Sequence, residues 1–291
     1  MADLRLLLSP KCPAMKQILF PTDFSTVSAN AFLYAQELAQ KLHAELRVIH
    51  VYHPTVDAAN PYLNMPTPDL AELKEKYLQQ FVNKYQLAAP DGSATPAPIA
   101  TELHLGVPVD EIIRLSANAD LLIMSTRGES NVVRRLFGSV TTAVARRAKC
   151  PTLLVPPEAR FTDISQLLFA TDYADHDETL LRKSLRLWRP LYPKMVHFVH
   201  VSYHDSTDYA IADARFEEIV QEETPEIGLL KAEVQCERPL QGILDYAQDN
   251  RIDVIIMGTV RRSFFTQLFH HSTTKGAILQ STRPILIGHL E

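Results

Sequence analysis

The chain has 291 residues, 46% of them hydrophobic and 22% charged, which is typical of globular proteins and long enough for two domains. Its formal net charge of −5, from 34 acidic and 29 basic residues, argues against a general nucleic-acid-binding protein. No apolar run is long enough to span a membrane, and three scattered cysteines without a CxxC motif indicate a reducing, cytoplasmic environment.

The first predicted elements, in chain order, are a strand, a helix and a second strand. Residues 1–14 are expected to be a disordered leader, and the first strand covers Ile18–Phe20. Ser25 is placed to cap a helix whose apolar face begins at Ala31. The second strand follows at Leu46–Val51.

Six further elements complete the first half of the chain. A helix is predicted over residues 69–87 between two proline-rich loops, followed by a strand at Ile99–Leu103. Val109, Ile112, Ile113 and Ser116 mark the next helix, and a strand follows at Leu121–Met124. A helix beginning at Ser139 leads to a last strand at Thr152–Val155. Apolar strands that alternate with helices predict an α/β fold, with a parallel sheet covered by helices on both faces.

The sequence then repeats itself. ILFPTDFS at Ile18–Ser25 returns as LLFATDYA at Leu167–Ala174, and three other blocks recur in the same order. Repetition in one order indicates duplication. We therefore expect domain 1 over residues 15–157, a linker over 158–165 and domain 2 over 166–291.

Two strand ends of domain 1 carry sequence suited to a ligand, because open parallel sheets bind ligands beyond the carboxyl ends of their strands. One strand ends in PTD, and the other runs from Met124 into STRG and, after nine residues, into GSVT. Gly138 and Ser139 open a helix whose unpaired N–H groups attract an anion. The alternative for this segment is an ordinary strand-to-helix connection. Asp23 has a second role open to it as a turn or capping carboxylate, and both roles can coexist.

On these motifs the chain resembles a tandem universal stress protein. The resemblance implies two flavodoxin-like (Rossmann-like) domains of strand order 3-2-1-4-5 that pair through their last strands as a pseudo-dimer. It also implies ATP in domain 1, with the ribose near Asp23, the adenine at Val51 and the phosphates on the glycine loop. Mg²⁺ that accompanies the nucleotide is an alternative ligand for Asp23. The predicted nucleotide-binding residues are Pro21, Thr22, Asp23, Val51, Met124, Ser125, Arg127, Gly128, Gly138, Ser139, Val140 and Thr141.

Both domains depart from the family's pattern G-x2-G-x9-G-[ST]. Ser125 stands at the first glycine of domain 1, where its β-carbon and hydroxyl are expected either to crowd the nucleotide or to restrict the end of the strand. Domain 2 keeps Gly258, but Arg261 and His271 replace the other two glycines, and Ala170 replaces the proline. We therefore expect that domain 2 does not bind ATP in the same way.

His197, His200 and His204 suggest a metal cluster, but residues 197 and 200 of a strand face opposite sides. His200 also repeats His50, so we favour a position that the fold requires and predict no metal site.

Three functions remain open. The favoured one is a cytoplasmic regulator of the stress response that binds ATP in domain 1. The alternatives are a ligand-free interaction scaffold and a slow ATPase. Efficient hydrolysis is not expected because we find no P-loop, GxSxG or HExxH motif and no general base. A homodimer of the tandem chain is compatible with the sequence.

Overall fold

The computed structural model describes residues 15–53, 68–88, 96–126, 139–173, 177–202, 210–258 and 281–289. The expected leader and the loop that holds Arg127, Gly128 and Gly138 lie outside these ranges, as do His204, Arg261 and His271. None of the helices within the ranges is both long and apolar enough to cross a membrane.

Domain 1 alternates strands and helices as the sequence predicts. Its third strand continues past the predicted Leu103 to Leu105. The elements are β1 (Gln17–Pro21), α1 (Thr26–Leu42), β2 (Glu45–Tyr52), α2 (Pro68–Tyr85), β3 (Ile99–Leu105), α3 (Pro108–Ser116), β4 (Leu121–Ser125), α4 (Ser139–Arg147) and β5 (Thr152–Val155).

Domain 2 repeats this arrangement in the part of the chain that is described, with a short 3₁₀ turn at Arg189–Leu191 after its first helix. Its elements are β6 (Gln166–Thr171), α5 (Asp177–Trp188), β7 (Met195–Ser202), α6 (Ala210–Glu223), β8 (Gly228–Gln235), α7 (Pro239–Asp249), β9 (Val254–Gly258) and β10 (Ile285–Gly288).

The strands form one sheet in the order β3-β2-β1-β4-β5-β10-β9-β6-β7-β8. Strands are parallel within each domain, whereas β5 and β10 meet antiparallel, with Leu153 opposite Leu286. Since the two central strands run in opposite directions, the carboxyl ends of the two sets of strands lie at opposite edges of the sheet. A ligand site at the carboxyl edge of domain 1 is therefore remote from its counterpart in domain 2.

Each face of the sheet is covered by a core that runs through both domains. Helices α1, α2, α5 and α6 pack on one face, which we call the α1 face, over buried side chains such as Phe20 and Ile123. Helices α3, α4 and α7 pack on the other face, the α4 face, over Leu19 and Leu122. Because neighbouring residues of a strand point to opposite faces, this division fixes which side each strand-end residue presents.

The segment between the domains packs against α1. The Asn30 side chain donates a hydrogen bond to the Ala159 carbonyl at 2.9 Å, and the rings of Tyr34 and Phe161 meet edge to face with centroids 5.2 Å apart. These contacts join the short connection to the body of domain 1.

Candidate functional site

Three of the predicted nucleotide-binding residues form an apolar surface at the carboxyl edge of domain 1. Leu19 of β1 pairs with Leu122 of β4, and both belong to the core of the α4 face. Because β1 and β4 are parallel, Pro21 and Met124, each two residues after this pair, lie beside each other. Val51 lies on the same face of β2, and Met124 and Val51 are buried.

The start of α4 closes one side of this surface. The Thr141 hydroxyl donates a hydrogen bond to the Ser125 carbonyl at 3.2 Å, which ties the first turn of α4 to the end of β4. Val140 packs against the core of the same face. The first turn, which begins at Ser139, contains no acidic residue. Its backbone N–H groups therefore present the positive end of the helix dipole beside the apolar surface.

Asp23 occupies the turn between β1 and α1, where its side chain is exposed. Its Oδ1 accepts hydrogen bonds from the Ser25 backbone N–H at 3.1 Å and from the Ser25 hydroxyl at 2.6 Å. Ser25 in turn caps α1 as predicted, because its hydroxyl oxygen accepts the Ser28 N–H at 3.1 Å. The structure thus gives Asp23 its turn role, at the same edge as the predicted ligand surface.

The next residue, Phe24, has the left-handed backbone conformation, with φ of 66°. Its N–H donates a hydrogen bond to Thr22 Oγ1 at 3.0 Å. The matching residue of domain 2, Tyr173, has φ of 58° and the same bond to Thr171 Oγ1 at 2.9 Å. Bulky residues avoid this conformation, which costs on the order of 1–3 kcal/mol. Such strain at a strand end is typical of functional turns, and sequence periodicity gives no signal for it.

His50 adds a contact that sequence reasoning assigned only to the fold. Its Nδ1 lies 2.8 Å from the Thr22 carbonyl oxygen, and the Phe24 ring lies against its imidazole with centroids 4.2 Å apart. Burial lowers the pKa of His50, against the opposing effect of the bond to Thr22, and nearby Lys74 lowers it further. His50 is therefore a neutral, buried ring beneath the turn that holds Asp23.

The Ser125 side chain faces α1, not α4. Ile123 belongs to the α1 face and Met124 to the α4 face, so alternation returns Ser125 to the α1 face. The matching Gly258 agrees, because a β-carbon there would lie 3.2 Å from Leu180 of α5. This direction argues against crowding of a nucleotide at α4, which stays a prediction.

Domain 2 keeps the turn but changes what lies beneath it. Asp177 replaces Ser28 and is buried, and it accepts a hydrogen bond from the Thr171 hydroxyl at 2.6 Å. In domain 1 the Ser28 hydroxyl donates to Thr22 Oγ1 at 2.9 Å instead. The same backbone turn thus rests on a buried carboxyl group in one domain and on a hydroxyl pair in the other.

The histidines of β7 serve separate parts of the fold. His197 contacts the Tyr246 hydroxyl at 2.9 Å and the Gln166 side-chain oxygen at 3.0 Å. His200 contacts the Thr171 carbonyl at 3.0 Å. Among the described residues, no three His, Cys, Asp or Glu side chains are grouped to hold a metal ion. Cys150 lies in the core as predicted, where burial raises its pKa to about 12.

Known proteins share both the sequence and the fold. Universal stress protein Slr1230 of Synechocystis is 26% identical over 94% of this chain and 99% of its own length. Universal stress protein MJ0531 of Methanocaldococcus jannaschii is 34% identical over 48% of this chain and 81% of its length. The crystal structure of a universal stress protein from Archaeoglobus fulgidus has a TM-score of 0.68 at 21% identity, with 94% of this chain and 96% of that chain covered.

The family comparison matches both halves of the chain separately. The profile described as the Universal stress protein family matches residues 15–156 and again residues 164–289. The two matches agree with the internal repeat read from the sequence. The chain therefore belongs to the universal stress protein family and carries two of its domains in tandem.

Proposed function

We propose that domain 1 binds ATP at its carboxyl edge and that the chain acts as a cytoplasmic regulator of the stress response. The observation that carries this proposal is the meeting of an apolar surface with the start of α4. That surface lies where the strand order reverses between β1 and β4. Ligands of open α/β sheets bind at such a reversal.

The chemistry of the edge suits the parts of a nucleotide. Pro21, Met124 and Val51 offer apolar area to a base, and the exposed Asp23 offers a carboxylate to ribose hydroxyls. The phosphates would lie on Gly128, Gly138 and the first turn of α4, where Ser139, Val140 and Thr141 supply N–H groups. Arg127 would add positive charge, and Mg²⁺ would be held chiefly by the phosphate oxygens.

Domain 2 is proposed not to bind ATP in this way. Arg261 and His271 take the places of the second and third glycines, and a β-carbon at the point of closest approach would meet the phosphate. The antiparallel β5–β10 seam is proposed to act as the interface of an intrachain pseudo-dimer. A further homodimer would need a surface other than these last strands.

Isothermal titration of the full chain with ATP and with AMP tests the proposal. We expect a single ATP per chain, and AMP should bind more weakly because it lacks the β- and γ-phosphates. Gly138→Asp should weaken ATP binding by about 100-fold or more, since a carboxylate would oppose the phosphates. The matched control is His271→Asp in domain 2, which should leave ATP affinity unchanged.

Two results would contradict the proposal. Saturable ATP binding that Gly138→Asp does not alter would move the site elsewhere. Absence of both co-purified nucleotide and any ATP-induced rise in melting temperature would favour a ligand-free scaffold, because a ligand that binds the native state stabilises it. Phosphate release by an ATP-saturated chain, measured against a Gly138→Asp control, would identify a slow ATPase.

A further inference from the structure

We propose that His50 is a positioning residue of this site, whose ring N–H holds the Thr22 carbonyl and so leaves the peptide edge of Val51 open to the nucleobase. The inference rests on the proposed binding of ATP by domain 1. It assigns to a buried histidine a task in ligand binding that neither the family pattern nor the sequence indicates.

The protonation of His50 follows from its contacts. A carbonyl oxygen can only accept a hydrogen bond, so the Nδ1 that lies 2.8 Å from the Thr22 oxygen must carry the hydrogen. Nε2 then has none, and in the described part of the chain this buried atom has no hydrogen-bond partner. A buried, unpartnered acceptor is costly. Its presence suggests that the Nδ1 contact matters more than the satisfaction of Nε2.

The hydrogen bond falls at the point where the β1–β2 ladder ends. Glu45 N–H bonds to the Lys16 carbonyl, and Thr22 N–H bonds to the Ile49 carbonyl at 2.9 Å. One more step of this ladder would set the Val51 N–H against the Thr22 carbonyl. The backbone bonds of this turn do not include that step, and the Thr22 oxygen is bonded to His50 instead, so the paired residues end at Pro21 opposite Ile49.

The Val51 peptide therefore lies beyond the end of β1 at the carboxyl edge. It carries one donor and one acceptor, which is the combination that the polar edge of an adenine requires. The Val51 side chain packs into the core of the α4 face, which fixes the strand in this position.

The aromatic residue of the turn holds the imidazole in place. Phe24 covers the His50 ring at 4.2 Å between centroids, from a residue whose backbone is left-handed. On the α2 side, Phe24 also contacts Phe81, with centroids 5.9 Å apart. The charged groups that act on His50 are Lys74 of α2 and Asp23 of the turn itself. A movement of the ring would therefore move the turn that carries Asp23.

Domain 2 contains the same device and serves as an internal control. His200 Nδ1 lies 3.0 Å from the Thr171 carbonyl, and Tyr173 lies against its ring at 5.1 Å. Since domain 2 lacks two glycines of the phosphate loop, the equivalent change in the two domains separates an effect on the fold from an effect on ATP binding.

The test compares ATP titrations of four full-length variants. In His50→Asn the side-chain amide nitrogen can take the place of Nδ1, whereas in His50→Gln it reaches toward Nε2. We expect His50→Gln to weaken ATP binding by about 10-fold, as the loss of one hydrogen bond would, and His50→Asn to stay within about threefold of the wild type. His200→Asn and His200→Gln should leave ATP affinity unchanged, and the melting temperatures of all four variants show how much each substitution affects the fold.

The outcomes separate the two proposals. A wild-type chain that does not bind ATP would overturn the proposed function. If the wild type binds ATP, then equal affinities for His50→Gln and the wild type, or equal losses in both His50 variants, would overturn the positioning role. Nitrogen NMR of the unliganded wild-type chain gives a further reading. It should find the His50 hydrogen on Nδ1, and a hydrogen on Nε2 would overturn the inference.

Discussion

In domain 2, Leu180 of α5 lies so close to the end of β10 that a β-carbon added to Gly288 would fall 1.8 Å from it. The matching positions of domain 1 hold Ala31 on α1 and Val155 on β5, both fully buried on the α1 face. One domain thus places the larger side chain on the helix, and the other places it on the strand. These two pairs show that a duplicated core can keep the same filled volume while the residues that fill it change.

The carboxyl edges of the two domains differ in another way. Both keep the strained turn and the histidine bond to its carbonyl. Only domain 1 keeps the full set of small residues from Gly138 into α4, whereas domain 2 has His271 and a buried Asp177. The turn before the first helix is therefore common to both domains, and the two edges differ in the sequence of the glycine loop and in the residue beneath the turn.

The largest effect is expected when one residue of the Leu180–Gly288 pair in domain 2 is replaced by its counterpart from domain 1. Gly288→Val should destabilise the chain by about 3 kcal/mol, because the new side chain overlaps Leu180. Leu180→Ala alone should cost about 3 kcal/mol through the cavity it leaves. The double variant recreates the pair of domain 1 and should be more stable than either single variant. Chemical denaturation followed by circular dichroism measures all three.

If the losses of stability in the two single variants simply add in the double variant, then Leu180 and Gly288 do not pack as a complementary pair. Coupled residues instead give an interaction free energy of about 1–3 kcal/mol, here of stabilising sign. Gly258 provides a graded control, since its β-carbon would lie 3.2 Å from Leu180, so Gly258→Ala should cost less than Gly288→Ala.

The next effect concerns the seam at which the two domains meet. His289 follows β10, and its Nε2 lies 3.4 Å from the Thr152 hydroxyl of β5. Burial, with Lys149 adding to it, lowers the pKa of His289 to about 4. The unfolded chain would bind this proton near pH 6.5, so stability should fall as the pH drops from about 6.5 to about 4. The full loss assigned to this residue is about 3 kcal/mol, since each pKa unit corresponds to about 1.4 kcal/mol.

Denaturant titrations at a series of pH values check this loss. His289→Asn should flatten the acid side of the stability profile, whereas the exposed His43 changed to Asn should leave it unaltered. His50 and His197 also have lowered pKa values through burial, so part of the decline should persist in His289→Asn. If the pH profile of stability is the same in His289→Asn as in the wild type, then protonation of His289 does not destabilise the folded chain.

Much of the fold could be predicted because its signals are local. Apolar strands, the amphipathic faces of the helices and the capping serine Ser25 depend on neighbours a few residues away. The repeat then extended each prediction from one half of the chain to the other. The α/β class and the tandem family membership were confirmed on this basis.

The features that the sequence analysis did not predict depend on residues far apart in sequence. The bond from His50 to Thr22 and the overlap of Leu180 with Gly288 both require the packed sheet, which periodicity cannot supply. The positive φ of Phe24 gives no compositional signal, because the residue is not a glycine. The direction of Ser125, by contrast, could have been predicted from simple alternation along β4.

The smallest effect tests that direction. Ser125→Gly restores the first glycine of the family pattern, and a serine that crowds the nucleotide would make this change raise ATP affinity strongly. Since the side chain faces α1 while the start of α4 lies on the other face, we expect ATP affinity to change by less than about threefold. Titration of the variant beside the wild type measures the change.

The reverse substitution in domain 2 shows where the space at this position is limited. Gly258→Ser should lower the melting temperature, because its β-carbon would meet Leu180 of α5 rather than a ligand. A rise of about 10-fold in the ATP affinity of Ser125→Gly would instead mean that the serine reaches the phosphate side. In that case contact with the nucleotide would be the reason for a glycine at the first position of the pattern. The packing in domain 2 indicates instead that contact with the neighbouring helix is the reason.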